Sequence, residues 1–227
     1  GRVHAAAFEA NGGLTRSWNA GLRMARACGA DLAVCGNSDL LFTRNSLHAL
    51  AAAIETDQAD LAGPVSNAPG KTCPAVQSVS AYVSDYDPSD DPNELAHVAS
   101  RLHRAHAGAC LSVPAVNGFC MMAKVETWWR GAYDADHVFR PRNDFTSKGQ
   151  RNPTPLMTLN EDELQGRWRK AGLRSGVVPA SFVFHYRAVT RGEAYKAGQW
   201  FRMGDKGGGK NAGHGIMVPH ARGAREC

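Results

Sequence analysis

Three polar groups in this sequence stand where apolar, strand-like segments begin or end. Asp39 follows the run Leu32-Ala33-Val34-Cys35 and the polar turn Gly36-Asn37-Ser38. Glu161 and Asp162 open a helical segment that leads to Trp168, and His185 closes Phe182-Val183-Phe184. In a parallel sheet the carboxyl ends of the strands meet a common crevice, and ligands bind there. A carboxylate and an imidazole brought to such a crevice can hold a divalent cation, which in turn neutralises a phosphate-bearing substrate. Each group also has a plainer use. A strand-end Asp caps a helix or bonds its own loop, Glu161-Asp162-Glu163 places negative charge in a first helical turn, and His185 can be a satisfied, half-buried histidine.

The elements that must position these groups alternate along the chain. Leu14, Trp18, Leu22, Ala25 and Cys28 form one apolar stripe, so residues 14–28 read as a helix that Gly29 stops. Residues 31–35 read as a short buried strand. Residues 46–55 read as a second helix, built on Leu47, Leu50, Ala51 and Ile54 and capped by Thr43 or Asn45. A second strand is expected over 59–65, closed by Pro64 and the turn at 66–70. This order of helix, strand, polar turn, helix and strand points to an α/β domain with a mostly parallel sheet. Further on, 94–106 and 161–171 read as helices, with a short one at 124–130. Residues 110–113, 116–123, 177–178 and 182–184 read as strand material, and 77–83 alternates weakly. Residues 131–158 form a long polar loop, a length usually tied to function or mobility.

Other clusters carry less. Asp85, Asp87, Asp90 and Asp91 lack the central Gly and terminal Glu of a calcium loop and read as an exposed acidic loop. His97, His103 and His106 share a helix with no Cys or carboxylate to complete a metal cluster, so a solvated face is expected. Six cysteines, at 28, 35, 73, 110, 120 and 227, form no CxxC pair and are expected as reduced, mostly buried thiols.

Composition narrows the class. With 227 residues the chain is long enough to bury roughly 70% of its extended surface as one domain. No run approaches the roughly 20 apolar residues of a membrane span. The formal charge is +5, yet from Arg187 onward there are 8 basic and 3 acidic residues, which leaves 18 of each in residues 1–186. A neutral body argues against a nucleic-acid platform. The expected division is a domain over 1–203 and a Gly-rich basic tail over 204–227, poorly ordered or bound to a partner.

The chain resembles the inverting nucleotide-sugar glycosyltransferases of the large family 2 group with a GT-A fold, rhamnosyltransferase-like members included. Asn11-Gly12-Gly13-Leu14-Thr15-Arg16-Ser17-Trp18-Asn19-Ala20-Gly21 is similar to the family's N-x-G-x-x-x-x-x-N-x-G element. The segment from Gly29 to Asp39 is similar to its glycine, apolar strand and DxD-type motif, with Asn37 in the first acidic position and Asp39 in the last. Val116-Asn117-Gly118-Phe119-Cys120-Met121-Met122 resembles the strand whose backbone approaches the transferred sugar. Asn160-Glu161-Asp162-Glu163-Leu164-Gln165-Gly166-Arg167 is similar to the E-D-x-D-L-x-x-R helix, with Glu161 or, one residue along, Asp162 at the base position. The stretch that ends in His185 looks like the family's P-x-x-x-x-x-H element.

The resemblance covers about residues 8–190 and implies a GT-A-like three-layer domain around a mostly parallel mixed sheet. It implies Mn2+ or Mg2+ on Asp39 and His185, and a nucleotide-diphosphate sugar shaped by Asn11, Gly13, Asn19, Asn37 and Gly118. Glu161 or Asp162 would act as base in direct displacement at the anomeric carbon, with a glycan, lipid or protein hydroxyl as acceptor. The family's first strand–helix–strand–helix unit has no counterpart in this sequence, so the fold is expected to be N-terminally truncated relative to the family. That departure supports a second reading, a non-catalytic glycosyltransferase-like structural or interaction module in an assembly, with a partner chain completing the fold or covering exposed sheet. Either would sit in the cytoplasm, free or at a membrane surface.

Overall fold

The helix expected after Gly13 runs over Leu14–Ala27 (α1), with Trp18 and Leu22 buried, in a computed structural model that describes residues 13–70, 75–145, 148–151 and 160–186. Gly29, at φ 67°, ends it. Its N–H donates to the Arg26 carbonyl and that of Ala30 to the Ala25 carbonyl, the paired bonds of a left-handed helix stop. Cys28 lies on the exposed side of this turn, not on the buried stripe. Then follow β1 (Leu32–Gly36), β2 (Leu40–Phe42), α2 (Ser46–Glu55) and β3 (Leu61–Val65). Asn45 precedes α2 at φ 67° with no side-chain cap, and the Thr43 hydroxyl donates instead to the Phe182 carbonyl at 2.6 Å.

The weak alternation over 77–83 folds as two short 3-10 turns, Ala75–Gln77 and Val79–Ala81, not as a strand. After them come α3 (Pro92–His106), β4 (Leu111–Val113), β5 (Cys120–Lys124), α4 (Val125–Arg130), α5 (Asn160–Lys170) and β6 (Ser175–His185). Asp91 caps α3 by accepting from the Asn93 and Glu94 amides. The two strand segments expected near the C-terminus are one long strand, β6, whose pairing with β3 shifts register between Pro64 and Val65. Among the described residues no helix is long and apolar enough to cross a membrane. The tail over 204–227 lies outside them, as does most of the stretch 146–159 in the long loop.

The sheet corrects the expected topology. Its six strands run β1-β5-β3-β6-β2 with β4 also on β6, and only the β3–β6 pairing is parallel. The β1–β5, β3–β5, β2–β6 and β4–β6 pairings are all antiparallel, so this is a mixed, mostly antiparallel sheet and not the mostly parallel GT-A-like one. Two connections cause this. The turn Asn37-Ser38-Asp39 between β1 and β2 is too short for a crossover, so β2 must reverse. Between β3 and α3 the described residues 66–70 and 75–91 form bends, turns and the two 3-10 turns, so that helix does not act as a simple crossover either. The pairings leave β1, β3 and β6 pointing one way and β2, β4 and β5 the other.

Helices cover both faces. On one, Trp18 and Leu22 of α1, Leu95, Val98 and Leu102 of α3, Trp128 of α4, and Leu164 and Trp168 of α5 share a core with Cys35, Met121 and Phe182. On the other, Leu50, Ala53 and Ile54 of α2 pack on Ala62, Cys120, Met122, Val178 and Val183.

Candidate functional site

Because β1, β3 and β6 share one direction, their carboxyl ends form one rim. Asn37 and Asp39 leave β1, Ser66 and Asn67 leave β3, and His185 ends β6. β5 runs the opposite way, so the residues that lead into it, Asn117, Gly118 and Phe119, reach the same rim. The crevice thus survives a topology that the expected parallel sheet did not describe.

His185 is buried at this rim, its ring stacked on Phe119 with centroids 5.4 Å apart and planes 16° from parallel. Its Nδ1 lies 2.9 Å from the Ala68 carbonyl oxygen. A carbonyl only accepts, so this nitrogen carries a proton. Nε2 lies 3.3 Å from Asp39 Oδ1 and 3.4 Å from Asn37 Nδ2. The neutral ring accepts from Asn37, whereas the doubly protonated ring donates to Asp39. Asn67 clamps the backbone of the same residue, donating to the His185 carbonyl at 3.1 Å and accepting from its N–H at 2.7 Å.

Two buried glutamines hold the loop that precedes β5. Gln165 accepts from the Val116 N–H and donates to the Val116 carbonyl, both at 2.8 Å. Gln77 donates to the Pro64 carbonyl at 3.1 Å and accepts from the Asn117 N–H at 2.7 Å. Asn117 in turn accepts from the Phe119 N–H at 3.2 Å. The loop therefore comes close to α5, and a Cβ on Gly118 would lie 2.7 Å from the Glu161 side chain. Only glycine permits that approach. Glu161 is half-buried, and loss of hydration pushes its carboxyl above the usual range; a backbone hydrogen bond opposes this and the nearby Asp162 adds to it.

The structure brings Asn37, Asp39 and His185 together and sets Gly118 against Glu161, with Phe119 joining the two groups. Asp162 is exposed. Asn19 is buried elsewhere, its amide bonded in both directions to the Phe139 backbone at 2.9 Å. Gly13 is the N-cap residue of α1 at φ 87°, and Asn11 lies outside the described residues. Sequence reasoning missed Asn67, Gln77 and Gln165 as organisers of this rim. Nothing in the local pattern separates such a buried amide from a solvated one; only the backbone groups that it meets in the fold do.

The donor set corrects the expected metal chemistry. Among the described residues no group of three or more His, Cys, Asp or Glu side chains is placed to hold a metal ion. Asp39 and His185 make a pair without a third such ligand, and amides stand where further carboxylates would be needed. The expectation of Mn2+ or Mg2+ falls. With it, and with the parallel sheet, falls the reading of this chain as an inverting, metal-dependent glycosyltransferase that binds and turns over a nucleotide sugar. Comparison with known proteins finds no family model that matches the chain and no curated relative with significant similarity.

Proposed function

We propose that the chain is a non-catalytic, glycosyltransferase-like structural or interaction module that works within an assembly. One observation carries this reading. The amides and the imidazole at the rim are bonded to the protein's own backbone: Asn67 to His185, Gln77 to Pro64 and Asn117, Gln165 to Val116, and His185 Nδ1 to Ala68. A set so engaged rigidifies loops and does not wait for a ligand. The sheet adds support, because among the described residues β1 pairs with β5 alone and carries the exposed Val34 in its middle.

The partner is a polypeptide that covers this edge. The compartment is the cytoplasm, where thiols such as Cys35 and Cys120 persist unpaired, and a peripheral membrane location would come through the partner. Isothermal titration of the full chain with uridine-, guanosine- and thymidine-diphosphate sugars, with and without Mn2+, tests the reading. No binding heat is expected. Saturable heat that Asp39→Ala abolishes would overturn it.

A further inference from the structure

We infer that the hollow at the amino end of β1 binds a small basic zwitterion, a free diamino monocarboxylic acid of the lysine type. The hollow lies at the end of the sheet away from His185, so the inference goes beyond the module reading and does not depend on it.

The turn at Gly29 and Ala30 brings the C-terminal end of α1 to the start of β1. There Leu32 pairs with Lys124 of β5, and the Val125 N–H at the start of α4 bonds the Asp31 carbonyl. The end of α2 arrives from the other face of the sheet. Together they shape an open hollow of about 610 Å3, whose charged lining is Arg26, Lys124, Asp31, Glu55 and Glu126, with Trp129 as an aromatic wall. The described chain meets its undescribed segments at the far end of the sheet. These junctions lie before Gly13 at the start of α1, after Gly70 and Tyr186 near His185, and before Asn160, which Asn143 bonds, at the start of α5 beside Gly118. None of them joins the fold at this hollow.

Three features of the lining have no explanation within the chain. Cations and carboxylates face the same space, yet among the described residues none of the five forms an ion pair. Elsewhere Arg101, Arg142, Arg167 and Arg174 all do so, at 2.6 to 3.1 Å. Glu55 ends α2 at the negative end of the helix dipole, and that last turn holds no basic residue to offset it. Trp129 Nε1 is buried with no acceptor, while the Arg26 guanidinium lies 4.7 Å from the centre of the indole ring. A buried donor left unpaired is costly, and proteins tend to break such local rules at functional sites.

One ligand answers all three. Its carboxylate sits beside Arg26 and Trp129, where it accepts a charge-assisted bond from the guanidinium and gives the indole N–H an acceptor. Its ammonium groups go to Glu55 at the end of α2 and to Asp31 and Glu126 across the hollow. Two cations and three carboxylates leave the lining with a net charge of −1. A diamino monocarboxylic acid carries +1 at neutral pH and neutralises it. A plain diamine would leave Arg26 and Trp129 unanswered, and an anion would meet three carboxylates.

Isothermal titration of the full chain with L-lysine, L-ornithine and L-arginine tests this. Saturable binding of at least one is expected, with cadaverine, which is lysine without its carboxylate, at least about tenfold weaker. Arg26→Gln and Glu55→Gln should each weaken binding about tenfold or more, and Trp129→Phe, which keeps a ring but removes the N–H, about fivefold. Arg101→Gln removes a distant surface arginine and should leave binding unchanged. No saturable heat from any of the three up to about 10 mM overturns the inference. So does cadaverine binding as tightly as lysine, which would mean a counter-ion at an acidic surface only, and so does binding that Arg26→Gln and Glu55→Gln leave intact. Heat from a sugar nucleotide bears on the module reading alone.

Discussion

Gly118 and Glu161 occupy adjoining space so closely that a Cβ on residue 118 would lie 2.7 Å from both Cγ and Cδ of the glutamate. The contact joins the loop before β5 to the first turn of α5. Gly118→Ala is therefore expected to lower stability by about 1–3 kcal/mol, as overpacked sites do. Glu161→Ala removes the obstructing atoms. Urea unfolding of both single variants and the double variant should show the pair costing less than the sum of the singles, and simple additivity would mean that the two side chains do not meet.

The same glutamate makes stability depend on pH. Burial raises its folded pKa above the unfolded value. Below the unfolded value the carboxyl is protonated in both states and carries no penalty. As pH rises through the folded value an anion must be held in a half-buried site, and that stability is lost. Glu161→Gln removes the dependence, so its melting temperature should exceed that of the wild type at neutral pH and converge with it in acid. A constant difference across the range would contradict this assignment.

Gln165→Leu keeps the volume but leaves the Val116 N–H and carbonyl without the partners they have at 2.8 Å. Each orphaned buried group costs about 1–3 kcal/mol. Amide hydrogen exchange at Val116 should accelerate more than exchange in α2, which lies on the far side of the sheet. Uniform acceleration would indicate a general loss of stability instead.

Thiol reactivity should follow burial. Cys28 is exposed, whereas burial raises the Cys35 thiol, with the neighbouring Cys120 adding to the effect, and pushes that of Cys120 up to about 12. Peptide mapping after brief alkylation of the native protein should find Cys28 modified and Cys35 and Cys120 protected until denaturant is added. Early modification of Cys120 would place β5 at the surface.

Most individual elements could be read locally. α2 occupies the expected residues, α1 stops before Gly29, β3 falls inside its apolar run, and β1 follows its run but extends to Gly36, expected in the turn, because periodicity and helix stops act over a few residues. Strand direction could not be read this way. The same alternation of helices and strands suits several sheets, and here the three-residue turn before β2 and the bends and turns before α3 reverse strands that a simple crossover would have aligned. The 3-10 turns around Gln77 escaped for a related reason. Gln77 bonds the Pro64 carbonyl and the Asn117 amide, partners far away in sequence, and these override a weak alternation.

For the site, residue types and their order were enough to single out Asp39, His185 and the pair Glu161 and Asp162 without choosing between the two, since polar groups at the ends of apolar strands tend to converge wherever those strands share a direction. The tertiary structure alone decided what the convergence amounts to. It set His185 between Asp39, Asn37 and the Ala68 carbonyl, left Asp162 in solvent, and surrounded the rim with amides where metal binding would need more carboxylates. A linear sequence states which ligating groups exist, but coordination depends on how many meet within a few ångströms, and that number is a property of the packed chain.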